Sequence, residues 1–295
     1  MTAQTDDAAV LSGLEAPRVG PTGRRLTNFP VPPPLKSHGP ARIISLSNQK
    51  GGVGKTTSTI NLGAALAEYG RRVLAVDFDT QGALSAGLGV PTHDVPTIYD
   101  LLLGTIKNPA EAIVHTEIPN LDVIPANIDL SAAEVHLVNE VARETILARV
   151  LRKVSDQYDV ILIDCQPSLG LLTVNALTAA HGVLIPLECE FFALRGVALL
   201  VETIEKVRDR LNPAIELDGI LATMYDARTL HSREVLERVV ETFGDDVLET
   251  VIGRTVKFPD ASVAGAPITS FAPDHSAADA YRQLARELIH RGAVA

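Results

Sequence analysis

Six short apolar runs punctuate the chain from residue 42 onward: RIISLS (42–47), RRVLAVDFD (71–79), LDVIPA (121–126), DVILIDC (159–165), GVLIPLE (182–188) and LDGILATMY (217–225). They are near-continuous rather than alternating, the pattern of strands covered on both faces. Helical stretches separate them. The first, TTSTINLGAALAEYG, ends at Gly70, where glycine easily takes a left-handed cap. Its small residues Gly63, Ala64 and Ala67 would let it lie close on a sheet. Further helices are expected over about 142–154, 170–180, 195–211 and 230–243, and the last over 276–291. Strand–helix alternation predicts an α/β fold, a mostly parallel sheet with helices on both faces. No repeat or linker interrupts 42–291, so one domain over 41–295 is expected.

The first forty residues break this pattern. They hold seven of the eighteen prolines, including PVPPP at 30–34, and show no hydrophobic periodicity. Such a segment buries too little apolar area to offset its chain entropy, so a disordered Pro-rich tail is expected over 1–40. Arg24, Arg25 and Lys36 would let it act as a partner-binding or DNA-brushing arm.

Composition narrows the classes. The chain has 295 residues and a formal net charge of −10, so any contact with nucleic acid must come from a local patch. No run approaches a membrane span, and no basic-then-apolar signal opens the chain. Two cysteines, Cys165 and Cys189, cannot build a disulfide framework or a four-ligand zinc site. Their apolar surroundings predict buried free thiols. The eight histidines are scattered without metal-ligand spacing; only His231, near Arg228, has a neighbour of interest.

The chemistry concentrates after the first apolar run, in SNQKGGVGKTTSTINLG. A strand, a glycine-rich turn ending Gly54-Lys55-Thr56, and a helix form a phosphate-binding loop. Gln49 stands where the first glycine of that motif is usual. Gly51, Gly52 and Gly54 are expected to take positive φ and turn backbone N–H groups toward an anion. The helix start adds partial positive charge. Lys55 would reach the β and γ phosphates, and the Thr56 hydroxyl would ligate Mg²⁺. Lys50, a second lysine in one loop, reads from spacing alone as a solvated side chain.

KGGVGKTT resembles the deviant Walker A loop of the ParA/MinD group of P-loop ATPases. Lys50 matches its signature lysine, which crosses a dimer interface to the phosphates bound by the partner subunit. The resemblance implies a nucleotide site over Lys50, Gly51, Gly52, Val53, Gly54, Lys55, Thr56 and Thr57, with Lys50 and Lys55 both serving catalysis. Asp79, in VDFDTQG, would position or polarise the attacking water; Asp77 and Asp79 would share a face if the strand persists. Thr80 stands where proline is usual. Asp164, in VILIDCQPSLGLLT, would hold Mg²⁺ through water, with Gln166 again replacing a usual proline.

The similarity spans about 42–291 and is strongest to the chromosome-type ParA proteins, also called Soj. It implies a Mg-dependent ATPase of weak basal activity that forms an ATP-bound homodimer, coats DNA without sequence preference and answers to a ParB-like partner. A cytoplasmic, nucleoid-associated location follows from the same resemblance. Arg228 and Arg254 match basic DNA-contacting positions, and Lys257 stands nearby. Asp245, Asp246, Glu249 and Asp260 share the region and oppose that reading. Met224, Gly253 and Thr255 are placed at the adenine pocket, although Gly253 and Thr255 replace a usual proline and asparagine. Arg195 stands where an acidic residue is frequent. Three alternatives stay open: a MinD-like membrane switch, which would need an amphipathic C-terminal helix; a metabolic ATP-dependent ligase; and an ATP-binding module with negligible turnover.

Overall fold

A computed structural model describes residues 19–190 and 193–295. The expected apolar runs form the centre of one eight-stranded sheet. Its strands are β1 (Arg42–Leu46), β2 (Val73–Phe78), β3 (Val114–His115), β4 (Leu121–Ile124), β5 (Val160–Cys165), β6 (Gly182–Glu188), β7 (Glu216–Tyr225) and β8 (Val247–Gly253). The spatial order is β3-β4-β2-β5-β1-β6-β7-β8. Every neighbouring pair is parallel except the short β3–β4 edge. β1 therefore sits between β5 and β6, where crossovers leave in opposite directions, and loops at its carboxyl end face a crevice.

The helices are α1 (Lys55–Glu68), α2 (Ala83–Gly87), α3 (Ile98–Leu103), α4 (Leu130–His136), α5 (Ile146–Leu151), α6 (Leu171–Ala179), α7 (Ala193–Arg210), α8 (Leu230–Phe243), α9 (Lys257–Val263), α10 (Ile268–Phe271) and α11 (Ser276–His290). On one face, α1 and α11 cover Leu46, Leu162, Leu184 and Leu221 with Leu62, Leu66, Leu284 and Leu288. The opposite face is covered by α5 and α6 over β1, β2 and β5, and by α7 and α8 over β6 and β7. The small residues of α1 act as expected. A Cβ at Gly63 would come within 3.3 Å of the Leu121 side chain, so the helix lies close on the sheet. Gly70 ends it with φ +76°. The helix expected over 142–154 is shorter, because Ala142 adopts φ +54° and its α-helical part begins at Ile146.

Buried Glu287 of α11 accepts hydrogen bonds from the backbone N–H groups of Glu249 (2.7 Å) and Thr250 (2.8 Å) on edge strand β8, and pairs with Arg291 at 2.8 Å. Glu287→Ala would leave two strand N–H donors without an acceptor and remove the carboxylate partner of Arg291. A loss of about 3 kcal/mol in unfolding free energy is expected, measured by urea titration.

The expected disorder over 1–40 does not hold for residues 19–40, which lie on the body; the rest of that stretch falls outside the described residues. The Arg24 guanidinium donates to the Val247 carbonyl (2.8 Å) and to that of Gly244. Thr27 N–H donates to Glu249, Phe29 is buried against the His290 ring, and Asp159 accepts from His38 and the Gly39 N–H. Periodicity gives no signal here because single anchors and main-chain bonds hold an extended segment that forms no element of its own.

Candidate functional site

The site is assembled at the carboxyl edge of β1, β2 and β5. In the parallel register Asp164 stands beside Leu46 of β1 and Asp77 of β2. Leaving β1, the chain turns through residues 47–54 and enters α1 at Lys55. Gly52 (φ +77°) and Gly54 (φ +84°) take the left-handed backbone that the turn requires; Gly51 does not, contrary to expectation. Two contacts invisible in the sequence fix this loop. Asn48 donates to the Pro186 carbonyl of β6 (2.8 Å) while accepting from Lys50 N–H, and Thr223 of β7 donates to the Val53 carbonyl (2.8 Å).

The two lysines point to different environments. Lys55 is buried at 7% exposure, with Nζ donating to the Lys50 carbonyl at 3.2 Å. Burial holds its ammonium below the ordinary lysine value, against the pull of Asp164. Lys50 reaches outward instead, its Nζ 3.0 Å from Glu188 and 2.5 Å from Glu190. Desolvation there is outweighed by the bonds to Glu190 and Glu188, and the Lys50 pKa is raised.

Thr56 Oγ1 donates to Asp164 Oδ2 at 2.7 Å, and Thr59 Oγ1 lies 3.3 Å from the other oxygen. Full burial, with Asp77 beside it, pushes the Asp164 carboxyl up to about 8. A buried carboxylate whose partners are neutral hydroxyls is suited to a divalent cation, which would favour its charged form. Gln166 leaves this arrangement untouched, since its side chain turns to Ser168 (3.0 Å) and Glu134 (3.4 Å).

Asp77 and Asp79 do not share a role or a face. β2 ends at Phe78. Asp77 is buried, accepts from both Ser85 N–H and Ser85 Oγ, and is raised by burial to about 6. It fixes the turn that follows. Asp79 lies on that turn, half-buried, accepting from Gln81 N–H at 3.0 Å, close enough to Lys55 and Asp164 to affect both electrostatically.

Beside Gly54 lies a largely apolar cavity of about 340 Å³. Met224, Gly253 and Thr255 line it, together with Thr57. Met224 adopts φ +51°, an uncommon conformation for a long side chain, found preferentially where structure serves a site. Phe258 and Tyr281, packed edge to face at 5.8 Å, also contribute, and sequence reasoning missed both. α9 and α11 bring them from beyond the last expected strand.

Arg254 N–H bonds to the Tyr225 carbonyl, so the end of β8 sits beside the loop that carries Arg228. Arg228, exposed, is held in a two-pronged pair with Asp226 (2.8 and 2.9 Å), and this holds the Asp226 carboxyl down at about 2. Arg254 lies 3.4 Å from Glu188, and Lys257 3.8 Å from Asp260. His231 joins Arg254, Glu188 and Asp226 around a cavity of about 210 Å³. Asp245, Asp246 and Glu249 belong elsewhere. Asp245 and Asp246 precede β8 and Glu249 is its third residue, so all three lie about 15 Å or more from Arg254 by strand rise. The carboxylates that face the arginines are Asp226, Glu188 and Glu190, which the sequence did not associate with them.

Residues 41–217 match the family model described as an AAA domain. An uncharacterized protein of Mycobacterium tuberculosis (strain H37Rv) is 62% identical over 274 residues, 92% of this chain and 86% of its own length. The chromosome-partitioning ATPase Soj of Treponema pallidum (strain Nichols) is 51% identical over 83% of this chain and 95% of that protein. The chain belongs to the ParA/Soj family. The resemblance carried by KGGVGKTT is thereby established, as is the α/β sheet it implied. Among solved structures, cobyrinic acid a,c-diamide synthase from Mycobacterium smegmatis with bound ADP and magnesium superposes with a TM-score of 0.76 at 42% identity, covering 86% of this chain and 96% of that one. The final helix α11 is docked, with Tyr281, Leu284, Ala285 and Leu288 buried against α1 and β8. Among the described residues no helix is long and apolar enough to cross a membrane.

Proposed function

We propose that this chain is an ATP-driven dimerising switch that binds DNA without sequence preference and hydrolyses ATP to move a chromosome or plasmid. One observation carries the reading: of two lysines in one phosphate loop, Lys55 turns inward and Lys50 outward. An inward lysine serves the nucleotide of its own chain. An outward one turns away from the phosphates of its own chain, which supports a role toward a neighbour's.

In this reading the N–H groups of residues 51–56 and the start of α1 bind the phosphates. Lys55 neutralises the β and γ oxygens, while the cavity beside Gly54 takes the base. Thr56, with Asp164 through water, would hold magnesium, which would neutralise phosphate charge and so favour transfer of the γ-phosphoryl group to water with ADP leaving. Asp79 orients the attacking water. Lys50 of the second copy supplies charge in trans, as an arginine finger does, so dimerisation depends on ATP. Arg228, Arg254 and Lys257 of both copies then contact DNA phosphates, and a ParB-like protein stimulates turnover.

The similarity to the cobyrinic acid a,c-diamide synthase structure favours a second reading, an ATP-dependent amide-forming ligase that uses the same phosphate loop. One experiment separates the two: DNA co-sedimentation with ATP, ADP and no nucleotide. The wild type is expected to sediment with DNA in ATP alone, with a log–log salt slope near −0.9 per phosphate contact. Lys50→Ala is expected to lose this dependence on ATP, and Arg254→Ala to bind all sequences about 3- to 10-fold more weakly. No ATP-dependent sedimentation, with turnover requiring a small carboxylic acid and an ammonia donor, would establish the ligase instead. Binding of DNA with negligible turnover, even with the partner protein, would leave a regulatory module.

A further inference from the structure

Lys50 is not free. Its ammonium is held between two carboxylates of its own chain, Glu188 at 3.0 Å and Glu190 at 2.5 Å. Both lie on the stretch that leaves β6, the strand next to β1, so the sheet itself brings them against the phosphate loop. Lys50 N–H is tied to Asn48, which is bonded to β6 through Pro186. Backbone and side chain are thus both referenced to the same strand. A lysine in this position cannot simultaneously extend to a phosphate on another molecule.

We propose that Glu188 and Glu190 form an acidic latch that holds Lys50 in cis and sets the threshold for ATP-dependent dimerisation. The inference rests on the trans role of Lys50 proposed above. Three features suit a latch rather than a fixed bridge. Lys50 and Glu190 are partly exposed, at 38% and 53% of their side-chain surface, so their pair is screened and readily exchanged. A triphosphate bears more negative charge than two carboxylates and outcompetes them once a partner presents it. Glu188, by contrast, is only 12% exposed, and would be costly to leave unpaired. Its second oxygen faces Arg254 at 3.4 Å, so Lys50 departs without orphaning the carboxylate.

The test uses the full chain with Glu188→Gln and Glu190→Gln combined, which keeps shape and removes charge. Two readouts are needed. The first is the rate of reductive methylation at Lys50 in protein without nucleotide, followed by mass spectrometry. It is expected to rise about 3- to 10-fold, in line with loss of two partly exposed pairs. The second is the concentration of a non-hydrolysable ATP analogue with magnesium that gives half-maximal dimer by analytical ultracentrifugation, expected to fall about 5- to 10-fold. An unchanged methylation rate would overturn the latch itself, whatever the dimer does. Faster methylation with unchanged or weaker dimerisation would overturn its role as a threshold. A wild type that stays single with the analogue, while methylation still rises in the variant, would overturn the trans reading and leave only a local ion pair.

Discussion

Replacing Lys55 with alanine is expected to lower ATP affinity by two to three orders of magnitude, measured by titration of a fluorescent ATP analogue in magnesium. Two effects act together. The first is direct. Lys55 folds onto the phosphate loop and is already desolvated at 7% exposure, so its interaction with phosphate is little weakened by water. Removing one partner of a buried charge interaction costs about 3–5 kcal/mol, and each 1.4 kcal/mol is about tenfold in affinity. The second effect passes through Asp164. Lys55 is the nearby positive charge that opposes the rise of that carboxyl, which burial and Asp77 have already pushed up to about 8. Without Lys55, Asp164 would bind its proton more tightly, and the Thr56–Asp164 pair would be a poorer magnesium site. Lys55→Arg separates the contributions: it keeps the charge near Asp164 but cannot fold back onto the Lys50 carbonyl in the same turn. Arginine is therefore expected to recover part of the magnesium dependence and little of the nucleotide affinity. Affinity within fivefold of wild type in Lys55→Ala would exclude Lys55 as the phosphate cation.

The central part of this site could be read from the chain because it is local. Residues 42–56 carry a strand, a turn and a helix start in sequence, and each is dictated by short-range chemistry: an apolar run, glycines where φ must be positive, and a helix whose first N–H groups are unpaired. Asp164 was legible for the same reason, as a carboxylate at the end of a continuous apolar run. What escaped was assembled across the fold. Phe258 and Tyr281 reach the cavity from α9 and α11, and nothing in VKFPD or AADAYRQL marks them as other than helix residues. β8 was not foreseen because Glu249 and Thr250 interrupt its apolar pattern, and their N–H groups are satisfied by Glu287, 38 and 37 residues away. Lys50 shows the limit best. Its exceptional position came from likeness to a known loop, but its pairing with Glu188 and Glu190 follows from β1 and β6 being neighbours, which only the sheet order reveals. Of the acids expected to oppose the basic patch, Asp260 pairs with Lys257, but Asp245, Asp246 and Glu249 do not reach it. Proximity in sequence selected Asp245 and Glu249, whereas proximity in space selects Glu188 and Asp226.

Asp79→Ala is expected to bind ATP and dimerise normally yet hydrolyse about 10²- to 10⁴-fold more slowly, the usual loss when a positioned proton-accepting or water-orienting group is removed. The structure supplies the reason to separate Asp79 from Asp77. Asp77 is saturated by Ser85 and by the Asp79 N–H, and lies too deep to meet water. Asp79 keeps one carboxylate oxygen on Gln81 N–H and is half-buried on the loop that faces Lys55 and Asp164. That bond also gives a purely structural alternative, in which Asp79 only caps the turn. Asparagine decides between them, because its side-chain oxygen can accept the same Gln81 N–H while lacking the charge and basicity of a carboxylate. If Asp79 acts on water, Asp79→Asn will stall phosphate release as severely as alanine does, and the dimer will persist on a sizing column long after wild type has fallen apart. If Asp79 only shapes the loop, Asp79→Asn will turn over at close to the wild-type rate, and the water-orienting role must move to another residue of the same crevice.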